Sequence, residues 1–112
     1  MKINLNNKSF RAQSNSDNGQ VSGATVFHYY QKDDTIWANY QGGEILMGSI
    51  IGTINGNELD FVYHHLSKDK ILMTGKCNTS ISISPEGKYV LHENWQWTSG
   101  DLSEGTSVLV EE

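Results

Sequence analysis

The sequence holds one cysteine, Cys77, and one proline, Pro85, in 112 residues. A lone cysteine excludes an internal disulfide and argues against a thiolate-rich metal site. No apolar run approaches the roughly 18 residues expected of a membrane helix, and Met1 to Asn7 offers nothing fit to be a signal peptide. Basic charge is scarce too: 8 Lys/Arg stand against 13 Asp/Glu, for a formal net charge of −5. No strand face gathers several cations, so a nucleic-acid backbone or an anionic membrane is a poor partner. Helical periodicity is hard to find anywhere. The expectation is a reduced cytoplasmic protein with one domain over residues 1–112 and no cofactor or metal. A chain of this length buries roughly 60–70% of its unfolded surface, and 37% hydrophobic content supplies one core.

What is present is β-structure. Short β-branched and aromatic runs alternate with turn chemistry, which predicts strands over 8–14, 24–32, 35–41, 44–54, 58–66, 71–83, 88–98 and 105–111. The separators are Asp17-Asn18-Gly19, Asp33-Asp34, Gly42-Gly43, Asn55-Gly56, Lys68-Asp69-Lys70, Pro85-Glu86-Gly87 and Ser99 to Glu104. Asn-Gly and Gly-Gly suit the positive φ angles of two-residue hairpins. Consecutive hairpins make an antiparallel up-and-down meander. About eight strands with no helix to cover a face favour closure into a barrel over an open sheet, because closure removes both edges.

Side chains alternate with a period of two, so turn lengths carry the inner face from hairpin to hairpin. A three-residue loop at Pro85-Glu86-Gly87 pairs Ser84 with Lys88. Cys77, Thr79, Ile81 and Ile83 then share a face with Tyr89, Leu91, Glu93, Trp95 and Trp97, and that face is the interior. A three-residue turn at Lys68-Asp69-Lys70 adds Ile71, Met73, Gly75, Leu59, Phe61, Tyr63 and His65. Two-residue turns at Asn55-Gly56 and Gly42-Gly43 bring in Leu46, Gly48, Ile50, Gly52 and Ile54 with Trp37 and Asn39, and Asp33-Asp34 adds Val26, His28 and Tyr30. The opposite face of that last pair (Phe27, Tyr29, Ile36, Ala38, Tyr40) is also apolar, and a bulge there would invert it.

The predicted inner wall thus mixes aromatic and polar groups, and its candidate ligand-binding set is Glu93, His65, Tyr63, Trp95, Trp97, Trp37, His28, Tyr30 and Asn39. An inward carboxyl between Leu91 and Trp95 needs a partner or a proton, and His28, His65, Tyr30 and Tyr63 are the candidates. Aromatic walls with a few convergent polar groups are typical of small-molecule cavities, often at barrel mouths. The plainer reading makes the three tryptophans core filler and Glu93 part of a satisfied polar network. His64 and His65 face opposite ways and cannot share a metal. Two imidazoles and a carboxylate from His28, His65 and Glu93 are conceivable as ligands, though no spacing demands them. Cys77 reads as an inert small hydrophobe. The hydrogen-bonding run from Trp95 to Ser107 forms either a rim or lid at one barrel end, or a loop tied to its own backbone.

The runs Trp37-Ala38-x-Tyr40-x-Gly42-Gly43-Glu44-Ile45, Met73-Thr74-Gly75-Lys76-Cys77 and His92-Glu93-x-Trp95-Gln96-Trp97-Thr98-Ser99-Gly100 resemble a family of small bacterial proteins of unestablished function. The resemblance covers nearly the whole chain. Members often carry the label N-acetylglutamate synthase, but the family supplies no catalytic residues to transfer. That label implies an acetyl-CoA pyrophosphate loop before a helix; the nearest match, Gln20 to Thr25, ends in Thr and leads into a strand. The expected architecture is closer to the calycin-type barrels of lipocalin and avidin shape, by analogy of fold. Three functions remain open on sequence. They are a non-enzymatic small-molecule binder, an enzyme using Glu93 or a histidine as acid and base, and a homodimer joined through Phe27, Tyr29, Tyr40 and Ile45.

Overall fold

The computed structural model describes residues 2–112, so Met1, the first residue of the expected domain span, lies outside the described residues. The chain forms β1 (Lys8–Asn15), β2 (Val26–Lys32), β3 (Thr35–Gly42), β4 (Ile45–Asn55), β5 (Glu58–Ser67), β6 (Leu72–Ile83), β7 (Tyr89–Trp97) and β8 (Glu104–Glu111). Each strand pairs antiparallel with the next, and β1 pairs with β8, giving the closed eight-stranded up-and-down barrel that the hairpin pattern predicts. Closure leaves no edge strand.

Two ends differ in how they are closed. At one end the tight turns after β2, β4 and β6 meet the segment before β1. There Leu5, Ile36, Leu59, Leu91 and Leu109 are fully buried, with Ile54 and Ile81 beside them. Each such aliphatic side chain contributes roughly 1.5–3 kcal/mol on burial, so this aliphatic end is a packed plug. The other end carries the loops after β1, β3, β5 and β7, and its inner rows are aromatic and polar. An eight-stranded barrel is just wide enough for either filling.

The inner face of β4 to β7 follows the predicted alternation. Ile83 pairs with Tyr89 and the Ser84 N–H bonds Lys88 C=O at 2.8 Å, as a three-residue loop requires. The Lys68-Asp69-Lys70 turn likewise leaves Leu66 opposite Leu72. The hairpin from β4 to β5 slips by two residues, to Asn55 opposite Glu58, which preserves every face.

β2 and β3 are inverted relative to the sequence reading. Phe27, Tyr29, Ile36, Ala38 and Tyr40 are buried, whereas Trp37 and Asn39 are exposed and His28 and Tyr30 half-buried on the outer wall. The cause is one extra residue in β4. Gly42 opposes Ile45, but Tyr40 opposes Gly48, and across the other neighbour Ile45 opposes Ser67 while Met47 opposes Leu66. This bulge at Leu46–Met47 flips the parity of everything upstream. It also turns Ile45 inward and leaves Leu46, expected inside, exposed. Ile71 and Ile83, expected inside, are exposed at the two rims. The side chains Phe27, Tyr29, Tyr40 and Ile45 therefore fill the barrel and cannot form a subunit interface.

Candidate functional site

The aromatic end encloses a cavity of about 40 Å³ lined by Phe27, Tyr40, Tyr63, His65, Glu93, Trp95, Trp97 and Ser107, and roofed by Asn15, Gly19, Gln20 and Val21. The wall depends on glycines placed opposite aromatic residues. Tyr40, Gly48 and His65 are successive cross-strand neighbours, and a Cβ at Gly48 would run into the Tyr40 ring. The bare backbone lets Tyr40 lie across β4 and reach His65, where its hydroxyl meets Nδ1 at 2.7 Å. Tyr63, Gly75 and Trp97 repeat the arrangement one strand pair along, and the two rings meet edge-on with centroids 5.8 Å apart. Trp95 and Trp97 then lean on one another at 5.4 Å.

His65 is 2% exposed, and burial lowers its pKa to about 4, so its ring is neutral near neutral pH. Its Nε2 lies 2.7 Å from the Oε1 of Gln20, an acceptor only. The proton therefore sits on Nε2, and Tyr40 donates its hydroxyl to Nδ1. Two indoles point the same way. Trp95 Nε1 donates to Asn15 Oδ1 at 3.0 Å, and Trp97 Nε1 donates to the Asn18 carbonyl at 3.1 Å.

Glu93 lies deeper, on the middle row of β7. Burial pushes its carboxyl up to about 7, against a partial offset from Ser107, which donates its hydroxyl to Oε1 at 2.7 Å. Ser107 is thus the partner, in place of the four candidates read from the sequence. The Tyr29 hydroxyl is the one buried side-chain polar atom without a hydrogen-bond partner among the described residues. Burial and the nearby Glu93 hold it well above the ordinary phenol range. The Cys77 thiol is likewise pushed up by burial and then by Glu93, which suppresses its nucleophilic thiolate form.

Of the nine candidate residues, Glu93, His65, Tyr63, Trp95 and Trp97 line this one cavity. Trp37, His28, Tyr30 and Asn39 do not; they stand on the outer wall, where Tyr30 stacks on Trp37 at 5.7 Å and Ser9 Oγ meets His28 Nδ1 at 2.9 Å. With His28 outside, the three-ligand metal set cannot assemble, and no group of three His, Cys, Asp or Glu residues fit to hold a metal occurs among the described residues. In the Trp95 to Ser107 run, residues 98–106 do not line the cavity, and the loop is tied to itself and to the β1–β2 connection. Asp101 Oδ1 accepts from the Ser103 N–H, tying the loop to itself, while Ser103 Oγ and the Glu104 carbonyl accept from Asn18 of the roof.

Sequence reasoning missed Tyr40 as a site residue, Ser107 and the whole roof. The signal available for Tyr40 was Gly48, spaced so that a neighbouring ring has room to cross the strand.

A family model described as Avidin-like protein matches residues 3–112 of the chain. Comparison with curated proteins and with solved structures returns no match.

Proposed function

The chain belongs to the avidin-like family, and from that premise we propose that its barrel binds a small, partly polar molecule at the aromatic end. Tyr63, Trp95 and Trp97 sandwich the ligand, and His65 and Glu93 orient it. The observation that supports this most directly is the placing of a neutral imidazole and a buried carboxyl on the wall of an otherwise aromatic cavity. A plain structural core has no use for either group, since each costs desolvation that an aliphatic residue avoids. A cavity of about 40 Å³ holds water at most, so a ligand enters by displacing the roof.

Native mass spectrometry and thermal-shift screening against a compound library that includes biotin test the reading. A hit that raises the melting temperature, and does so less in Tyr63→Ala and Trp97→Ala variants, supports it. An absence of any wild-type ligand across extracts and library refutes it.

Enzymatic use of the same pocket is the second reading, favoured by one observation: a carboxyl near 7 is suited to general acid–base work at neutral pH. Glu93→Gln decides it, because turnover of a hit that survives this change excludes an acid–base role.

A further inference from the structure

We infer that Gln20 is a built-in occupant of the binding site, and that the molecule which displaces it presents an uncharged amide or equivalent carbonyl to His65. The inference rests on the small-molecule reading above and names the chemistry of the group that reaches deepest.

Three N–H donors leave the pocket wall, from His65, Trp95 and Trp97, and each finds its acceptor in one short segment, Asn15 to Gln20. Convergent wall donors met by acceptors from a single peptide are the pattern of a protein holding a ligand, here supplied by its own chain. Gln20 engages the most buried of the three, His65, at 2% exposed. With the Gln20 carbonyl accepting from Nε2–H, Tyr40 donates its hydroxyl to Nδ1, and both ring nitrogens are matched. In that tautomer a cation has nothing to bind at Nε2, and an anion would be brought in among aromatic rings with no Lys or Arg in the lining to offset it. A neutral carbonyl oxygen satisfies Nε2–H at no such cost. Glu93 lies deeper on the same wall and engages Ser107 through Oε1.

Gln20 itself sits on a part of the roof that no strand pairing holds. β1 pairs with β2 only from Lys8 to Arg11, while its later residues follow β8 past a bulge between Ala12 and Ser14. Residues 16–25 therefore connect the two strands outside any ladder, and Gln20 is half-buried on that connection. Its side chain can turn out into solvent without unzipping a strand, which frees the His65 donor and enlarges the cavity together.

Gln20→Ala removes essentially the atoms of acetamide, which makes acetamide the direct probe. In tryptophan-fluorescence titrations the variant should bind acetamide at least about ten-fold more tightly than wild type, because no internal competitor has to leave first. Acetate and ethylammonium should bind it at least about ten-fold more weakly than acetamide. Equal acetamide affinity in the two proteins, or acetate matching acetamide, overturns the inference. A long-range 1H–15N spectrum of wild-type protein gives a check independent of whether the variant folds. His65 must be neutral and protonated on Nε2 at pH 6, and an Nδ1-protonated ring overturns the inference. The two readings also fail separately. Acetamide rescue with no wild-type ligand upholds the occupant and refutes the binding function, whereas a library amide that binds wild type and Gln20→Ala equally well refutes the occupant alone.

Discussion

The two ends of this barrel are made by the same eight strands, with the same pairing and the same alternation, and they have opposite chemistry. At the aliphatic end Leu5, Leu59, Leu91 and Leu109 leave no accessible surface and no polar group to satisfy. At the aromatic end Tyr40, Tyr63, His65, Trp95 and Trp97 need partners for their hydroxyl and N–H groups, and two of those partners, Gln20 and Asn18, come from outside the strands. The first arrangement contributes stability through burial alone and is insensitive to pH. The second is held by directional bonds worth roughly 0.5–1.5 kcal/mol each, which a competing molecule can replace. Function is expected where the filling is exchangeable.

The strongest way to break this contrast is to open a void at the aliphatic end. Leu59→Ala should cost about 2–5 kcal/mol in chemical denaturation, since the side chain is fully buried and the surrounding plug relaxes only in part. It should leave binding at the other end unchanged in affinity for whatever protein remains folded. A large affinity loss would mean that the two ends are one cooperative unit and not a plug and a pocket.

A second effect, smaller and carried by pH, belongs to the aromatic end only. The Glu93 carboxyl is raised from 4.5 to about 7, so the unfolded chain loses that proton first and stability falls as pH climbs between those values. His65 is lowered from 6.5 to about 4, so the unfolded chain gains that proton first and stability falls as pH drops between those values. From 4.5 to 6.5 the two slopes oppose each other and the combined contribution is nearly flat. Glu93→Gln should expose the histidine slope, losing up to about 1.4 kcal/mol per pH unit as pH falls from 6.5. His65→Asn should expose the opposite slope, losing a similar amount per unit as pH rises from 4.5. Urea midpoints measured across that range distinguish the two, and coincident profiles would mean that water reaches both groups.

How much of this was legible in the sequence follows from what sets each feature. The strand order and the inner face of β4 to β7 came from loops whose length fixes their pairing, as Pro85-Glu86-Gly87 does for Ser84 and Lys88. Alternation alone therefore puts Glu93, His65, Tyr63, Trp95 and Trp97 on the inner wall, where the cavity has them. In β2 and β3 alternation gives the phase but not which phase is buried, because both faces are aromatic: Phe27, Tyr29 and Tyr40 against His28, Tyr30 and Trp37. The sign rested on the next hairpin, where the extra residue at Leu46–Met47 carries no mark, both side chains being apolar and exposed. Gln20 was out of reach for another reason. It lies outside any ladder, 45 residues from the histidine it engages, and no periodicity connects the two.

Glycines opposite rings give a third test. At Gly75 a methyl group would run into the far end of the Tyr63 ring, which is packed against Phe61, His65 and Trp97. Gly75→Ala should cost about 1–3 kcal/mol, as small-to-large changes in packed interiors do. It should also separate Tyr63 from Trp97, seen as a shift in tryptophan emission. A silent substitution would mean that the ring has room to move and that the wall is softer than its packing implies.

The smallest effect is the most diagnostic for the corrected faces. Trp37 stands outside the barrel with its ring stacked on Tyr30, 39% exposed, while Trp95 and Trp97 are inside at 7% and 5%. If Trp37 lined the interior, truncating it would cost about 3–5 kcal/mol, as for other core aromatics. On the outer wall the loss is one exposed stacking contact, so Trp37→Ser should cost less than about 1 kcal/mol. The same variant separates the fluorescence of the two ring environments. Iodide should quench the wild-type signal in part and the Trp37→Ser signal hardly at all, and any ligand-induced change should persist in the variant undiminished. A ligand signal that disappears with Trp37 would return the binding surface to the outer wall and leave the aromatic end as packing.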